Sequence, residues 1–158
     1  MRDDPARTGP AAEGGEGRVL GLDFGDRRIG VALSDPLGLT ASPLMTLERT
    51  SWARDLEAIR ALTRRHEVLR IVVGLPLEMD GGRGKRVHLT ETFMERVRAA
   101  TGLPVVPWDE RLSTVQAERI LLEGDASRAR RRQVIDQVAA VIVLQTYLDA
   151  RRTAAGAP

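Results

Sequence analysis

The 158-residue chain contains no cysteine, a single lysine, five aromatic residues and two histidines. Without cysteine there is no disulfide framework, no thiolate zinc site and no thiol nucleophile. So few aromatics, with no stripe among them, exclude a base-stacking platform of the single-strand-binding kind. His66 and His88 stand far apart on helix-like surface segments and read as solvated or locally paired, so an imidazole zinc site is not expected. No apolar run reaches the roughly 18 residues that a membrane-crossing helix needs. Residues 1–17 are polar and carry four acids, unlike a secretory signal. These absences lead to the expectation of a soluble cytoplasmic protein.

What is present is an ordinary apolar fraction of 42% and a nearly balanced charge, 24 basic against 22 acidic side chains. The length suits one domain with a proper core. A net charge of +2 makes no uniformly cationic surface. Lys85 is the sole lysine, so arginine carries almost all the positive charge. Arginine content alone reads as compositional bias. The positions of the arginines carry more information, because arginine keeps its charge and grips phosphate with two donors.

Residues 1–17 read as a disordered tail, 18–149 as the folded domain and 150–158 as a short disordered end. Val19–Phe24 and Ile29–Leu33 form a predicted hairpin around the turn Gly25-Asp26-Arg27. Asp35-Pro36-Leu37-Gly38 is a second turn, followed by a third strand to about Glu48 with Pro43 at its start or edge. Trp52, Leu56, Ile59 and Leu62 then line one helix face, with Thr50 or Ser51 as cap. Leu69–Leu75 suits a central strand covered on both faces. Val87, Thr90, Met94 and Val97 line a helix that stops near Gly102. Val105–Trp108 is a short strand, Ser113 opens a helix ending at Gly124, and Arg130–Leu148 is the last helix. The order predicts an α/β fold: a mixed sheet opening with an antiparallel meander, with helices on both faces. A purely parallel dinucleotide-binding fold does not begin this way.

Three acids stand in costly places. Asp23 lies inside an apolar strand, sharing a face with Val19 and Gly21. Asp109 and Glu110 follow a strand end, where open α/β sheets bind ligands. Alternation allows only one of the two into the cleft of Asp23, and the residues leave open which. Asp136 precedes the run Val138–Leu144, which predicts a helix buried nearly all round. It shares a face with Ala139, Ala140 and Val143, and the two alanines permit close approach to another backbone. Asp23, Asp109 or Glu110, and Asp136 thus make a carboxylate cluster suited to hard cations such as Mg²⁺ or Mn²⁺. Divalent ions so held can activate water and stabilise charge at phosphorus. An acid–base pair acting on a sugar would need neither the third acid nor basic surroundings.

Basic and polar residues flank each acid. Arg27 and Arg28 follow Asp23. Arg111, Ser113 and Thr114 follow Glu110, the last two at a helix N-terminus. Arg128, Arg130, Arg131 and Arg132 precede Asp136. A phosphate backbone entering the cleft would meet all three groups. Trp108, beside the acids, reads as strand-end packing before it reads as a base-stacking side chain. The loop Met79–Arg86 fails the Walker pattern, with Met79 where glycine is required and Arg86 where Ser or Thr is required.

Gly21-Leu22-Asp23-Phe24-Gly25-Asp26-Arg27-Arg28-Ile29-Gly30-Val31-Ala32 resembles the opening motif of the bacterial Holliday-junction-resolvase-like family, also described as pre-16S ribosomal RNA nucleases. Val72 to Leu77 with Met79-Asp80-Gly81, Asp109 to Thr114, and Asp136 with Ala139-Ala140 and Leu144 to Leu148 resemble its later motifs. The resemblance spans residues 18–149. It implies a ribonuclease-H-like five-stranded mixed sheet, and catalysis and metal binding at Asp23, Glu110 and Asp136 with Mg²⁺ or Mn²⁺. It therefore favours Glu110 over Asp109. It also implies a cytoplasmic role in maturing the 5′ end of 16S ribosomal RNA. The expected partner is structured nucleic acid, precursor ribosomal RNA ahead of a four-way DNA junction, alone or in a pre-ribosomal particle. No membrane is involved, and the protein is expected as a monomer or homodimer. Asp26, Glu78 and Arg131 or Arg132 depart from the residues usual in the family, and none of them removes a proposed ligand. Two rival readings are an actin-like ATPase, for which one lobe is too little chain, and a non-catalytic assembly factor.

Overall fold

A computed structural model describes residues 17–77, 84–109 and 128–156. These residues form strands β1 (Arg18–Phe24), β2 (Arg28–Ser34), β3 (Ala41–Glu48), β4 (Val68–Leu75) and β5 (Val105–Asp109). The described helices are α1 (Trp52–Arg65), α2 (Lys85–Thr101) and α3 (Arg128–Gly156). The strands make one sheet in the order β3-β2-β1-β4-β5. β1–β2 and β2–β3 pair antiparallel, and β1–β4 and β4–β5 pair parallel. This is the mixed sheet with an opening meander that the sequence predicts. The expected helix from Ser113 to Gly124 and the loop from Met79 to Arg83 lie outside the described residues.

The period of two divides every strand between two faces. On one face Leu20, Leu22, Phe24, Ile29, Val31, Ile71 and Val73 pack with Ile59 of α1 and with Val87, Phe93 and Val97 of α2. On the other, Val19, Ala32 and Val72 pack with Ala140, Val143, Leu144, Tyr147 and Leu148 of α3. Each fully buried Leu, Ile or Val contributes about 1.5–3 kcal/mol, so both faces are needed to hold the sheet.

The helix ends follow local chemistry. Ser51 Oγ accepts the Arg54 N–H at 3.2 Å and caps α1, so Ser51 rather than Thr50 takes the cap position. Gly102, at φ +73°, ends α2 in the left-handed conformation and donates its N–H to the Arg98 carbonyl.

Two expectations are corrected. The last helix continues through 150–156, where a disordered end was expected. That stretch contains Ala150, Ala154 and Ala155 with no breaker before Gly156, and Arg152 Nη2 pairs with Asp149 Oδ1 at 2.9 Å. The same helix is not buried all round. Ala139, Ala140, Val143, Leu144, Tyr147 and Leu148 are buried, whereas Val138, Val141 and Ile142 are half-buried, because only the sheet covers it among the described elements. Pro43, as expected, lies near the start of an edge strand, at a register shift opposite Ala32.

Candidate functional site

Asp23 is the last residue but one of β1 and pairs in register with Gly30 of β2. Both lie on the face covered by α3. A Cβ on Gly30 would fall 2.0 Å from the backbone carbonyl oxygen of Asp136, and one on Gly21 would fall 2.8 Å from Leu144 Cβ. Two glycines on the sheet, met by Asp136, Ala140 and Leu144 on the helix, let α3 lie directly on β1 and β2. That close approach delivers Asp136 to Asp23. Gln137 Nε2 fixes the same turn of the helix by donating to Thr46 Oγ1 of β3 at 3.0 Å.

Alternation brings further charged residues to this face. Arg28 opens β2 opposite Glu48, and its Nε donates to Glu48 Oε2 at 3.1 Å. Its Nη1 stands 4.0 Å from Asp136 Oδ2. The Asp136 side chain is only 22% exposed. Burial, reinforced by the charge of Asp23, raises its carboxyl to about 6; Arg28 opposes the rise and Glu48 adds to it. A cleft of about 280 Å³, lined by Gly25, Asp26, Arg27, Arg28 and Asp136, opens at this site.

The donor chemistry fits a hard divalent cation, with carboxylate oxygens at a partly buried site. Among the described residues, no group of three or more acids or histidines is placed to hold a metal ion. The third expected ligand, Glu110, lies outside them, as do Arg111, Ser113, Thr114 and the side chains of Arg131 and Arg132. The structure does settle the register of its neighbour. Val105 packs on the α1–α2 face and Val106 and Trp108 on the α3 face. Asp109 has the parity of Val105, on the side away from Asp23.

Other expected residues fall as follows. Arg27 is exposed at the rim of the cleft. Trp108 stands edge-on to Tyr147 at 5.4 Å and donates Nε1–H to Thr146 Oγ1, so it is packing for α3. His88 lies on exposed helix surface beside Glu91, and His66 ends α1. Three residues near the site were not foreseen. Glu48 was legible only through its register opposite Arg28. Arg49 and Arg86 bond to the β1–β2 turn from distant segments, and nothing in their local sequence signals it.

The strand order, the direction of each pairing and the acid at the end of β1 facing α3 define a ribonuclease-H-like domain of the RuvC type. Solved structures with this fold include Thermus thermophilus RuvC in complex with a Holliday junction substrate. It aligns at a TM-score of 0.54 and 18% identity, over 86% of this chain and 96% of that one. The Fowlpox virus resolvase in complex with Holliday junction DNA aligns at 0.53 and 9%, over 84% and 97%. At sequence level, the model of the RuvX family, described as Holliday junction resolvase, matches residues 17–150. The protein belongs to this RuvX family. A relative from Symbiobacterium thermophilum is 56% identical over 134 residues, 85% of this chain and 93% of the relative. One from Myxococcus xanthus is 53% identical over 135 residues, 85% and 89% respectively. Both bear the name "Putative pre-16S rRNA nuclease".

Proposed function

We propose that the protein is a divalent-metal-dependent nuclease that hydrolyses phosphodiester bonds in precursor 16S ribosomal RNA, trimming its 5′ end in the cytoplasm. The observation that carries this reading is Asp136, a half-buried carboxylate near enough to Asp23 to feel its charge, in a cleft also lined by Arg27 and Arg28. Burial and the nearby charge of Asp23 make an ionised Asp136 costly, and a divalent cation would offset that cost. Asp23, Glu110 and Asp136 would hold Mg²⁺ or Mn²⁺. The parity of Asp109 supports Glu110 as the third ligand. Such ions supply Lewis acidity and an activated water at the scissile phosphate.

The chain's own groups do the rest. Asp23 is fixed by strand pairing and Asp136 by helix contact, so these two proposed ligands are pre-organised. Arg28 is tethered by Glu48 at the edge of the cleft, where its guanidinium would meet a substrate phosphate. Arg27 and the Arg128–Arg132 segment, with Arg111, Ser113 and Thr114, would grip flanking phosphates. Precursor RNA is favoured because relatives above 50% identity carry that name, whereas the junction-bound structures are below 20% and speak for fold alone.

A second reading, resolution of four-way DNA junctions, is favoured by the description of the family model. One experiment separates them. The purified protein is incubated with a precursor 16S RNA fragment and with a four-way junction, each with Mg²⁺, with Mn²⁺ and with chelator. Metal-dependent cutting of the RNA is expected. Cutting of the junction alone, as paired symmetric nicks, would transfer the assignment to DNA. Cutting of neither, by folded protein offered the RNA both free and in a pre-ribosomal particle, would overturn it in favour of a non-catalytic assembly factor.

A further inference from the structure

The turn between β1 and β2 carries Arg27, leads into Arg28 and begins two residues after Asp23. Its main chain is held from behind the sheet. Arg49 Nη1 donates to the Gly25 carbonyl at 3.1 Å and to the Asp26 carbonyl at 3.2 Å. Arg86 Nη2 donates to the Phe24 carbonyl at 3.0 Å, while its Nη1 pairs with Asp26 Oδ1. Three successive carbonyls, 24 to 26, thus point at two guanidinium groups. Within the turn, Gly25 N–H bonds the Arg28 carbonyl, and Arg49 N–H bonds the Arg27 carbonyl, each at 2.8 Å.

Arg49 is itself built in. Its guanidinium lies 4.4 Å from the Phe24 ring centroid and 5.4 Å from that of Trp52. Its Nε stands 3.8 Å from Asp55 Oδ2 and has no hydrogen-bond partner. Asp55, buried in α1, is held by the Thr50 N–H at 3.0 Å and the Thr50 hydroxyl. A cation kept in a largely buried place with one donor unsatisfied is costly. A Leu or Met there would pack on Phe24 and Trp52 without that cost, but could not bond the two carbonyls.

We infer that Arg49, seconded by Arg86, is a positioning residue that locks the β1–β2 turn and so fixes Asp23 and Arg28 for the reaction. The inference rests on the nuclease reading for its kinetic consequence, but not for its structural one. Arg49 packs on Phe24, on the α1–α2 face, and does not line the cleft. It acts on the site through the backbone alone.

The test uses the full chain with Arg49→Gln, Arg86→Gln and, as control, Arg96→Gln. Arg96 stacks on Trp52 at 4.6 Å and makes no bond to the turn. Amide hydrogen exchange is read at Gly25 and Arg49, and kcat and KM on the precursor RNA fragment. Arg49→Gln should speed exchange at these amides about tenfold, the scale of one lost charge-assisted bond. It should lower kcat about 10–100-fold with KM within about twofold. Arg86→Gln should speed the same exchange, and Arg96→Gln should leave both readouts as in wild type. Wild-type exchange and kcat in folded Arg49→Gln would overturn the inference. If Arg49→Gln does not fold, the more exposed Arg86 carries the test by the same criteria. If wild type cuts nothing, the nuclease reading fails, and the exchange data still decide whether the clamp exists.

Discussion

At the scale of single residues, Asp136 carries the largest electrostatic cost described. Its carboxyl stands at about 6 against an ordinary 3.8. Because the folded value is the higher, the folded state holds a proton that the unfolded chain releases between about pH 4 and 6. Stability of the metal-free protein therefore falls as pH rises through that window, and above it the full cost remains. The shift corresponds to a cost on the order of 2–3 kcal/mol. Asp136→Asn should accordingly be more stable than wild type at pH 7.5 in chelator by about that amount, with the advantage vanishing near pH 4. Urea denaturation at the two pH values checks this. Added Mn²⁺ should stabilise wild type and not the variant. A variant less stable than wild type at pH 7.5 in chelator would mean that Arg28 more than compensates the buried charge.

At the scale of elements, the site depends on how closely α3 can approach the sheet. Gly30→Ala places a methyl against the Asp136 backbone, which has no flexible end to give way. The helix must move, so this variant should lose about 1–3 kcal/mol of stability and, with Asp136 displaced, most of its cleavage activity. Gly102→Ala should lose about 1 kcal/mol by straining a left-handed cap, with cleavage intact because nothing at the site touches it. Comparing activity at matched stability separates geometry from folding. The same elements show what could be read in advance. The hairpin, the buried central strand and the facing of Asp23 and Asp136 follow from periods of 2 and 3.6, which are local. Ala139 and Ala140 announced a close contact, but that Gly21 and Gly30 would meet it is a tertiary fact. Glu48 and the Arg49–Arg86 clamp escaped for the same reason. A charged residue just after a strand looks like ordinary solvated surface until the partner segment is in place. The disordered end expected at 150–158 failed differently, since small residues suggested fraying where alanine favours helix.

At the scale of the molecule, the sheet separates two kinds of work. On the α3 face lie the acids, Arg28 and the cleft. On the α1–α2 face lie the aromatic cluster of Phe24, Trp52 and Phe93 and the arginine that holds the turn. Net charge is small, so under the proposed function nucleic-acid affinity would have to come from arginines placed around the cleft rather than from a general positive field. The central claim is that carboxylates of the α3 face, and not their neighbours of opposite parity, do the chemistry. The most direct measurement is the Mn²⁺-dependent cleavage rate of wild type beside Asp23→Asn, Glu110→Gln, Asp136→Asn and Asp109→Asn, each checked for folding. The account predicts losses of about 10²–10³-fold or more for the first three substitutions and a rate near wild type for Asp109→Asn. Full activity in Asp23→Asn, or loss in Asp109→Asn with activity kept in Glu110→Gln, would contradict it.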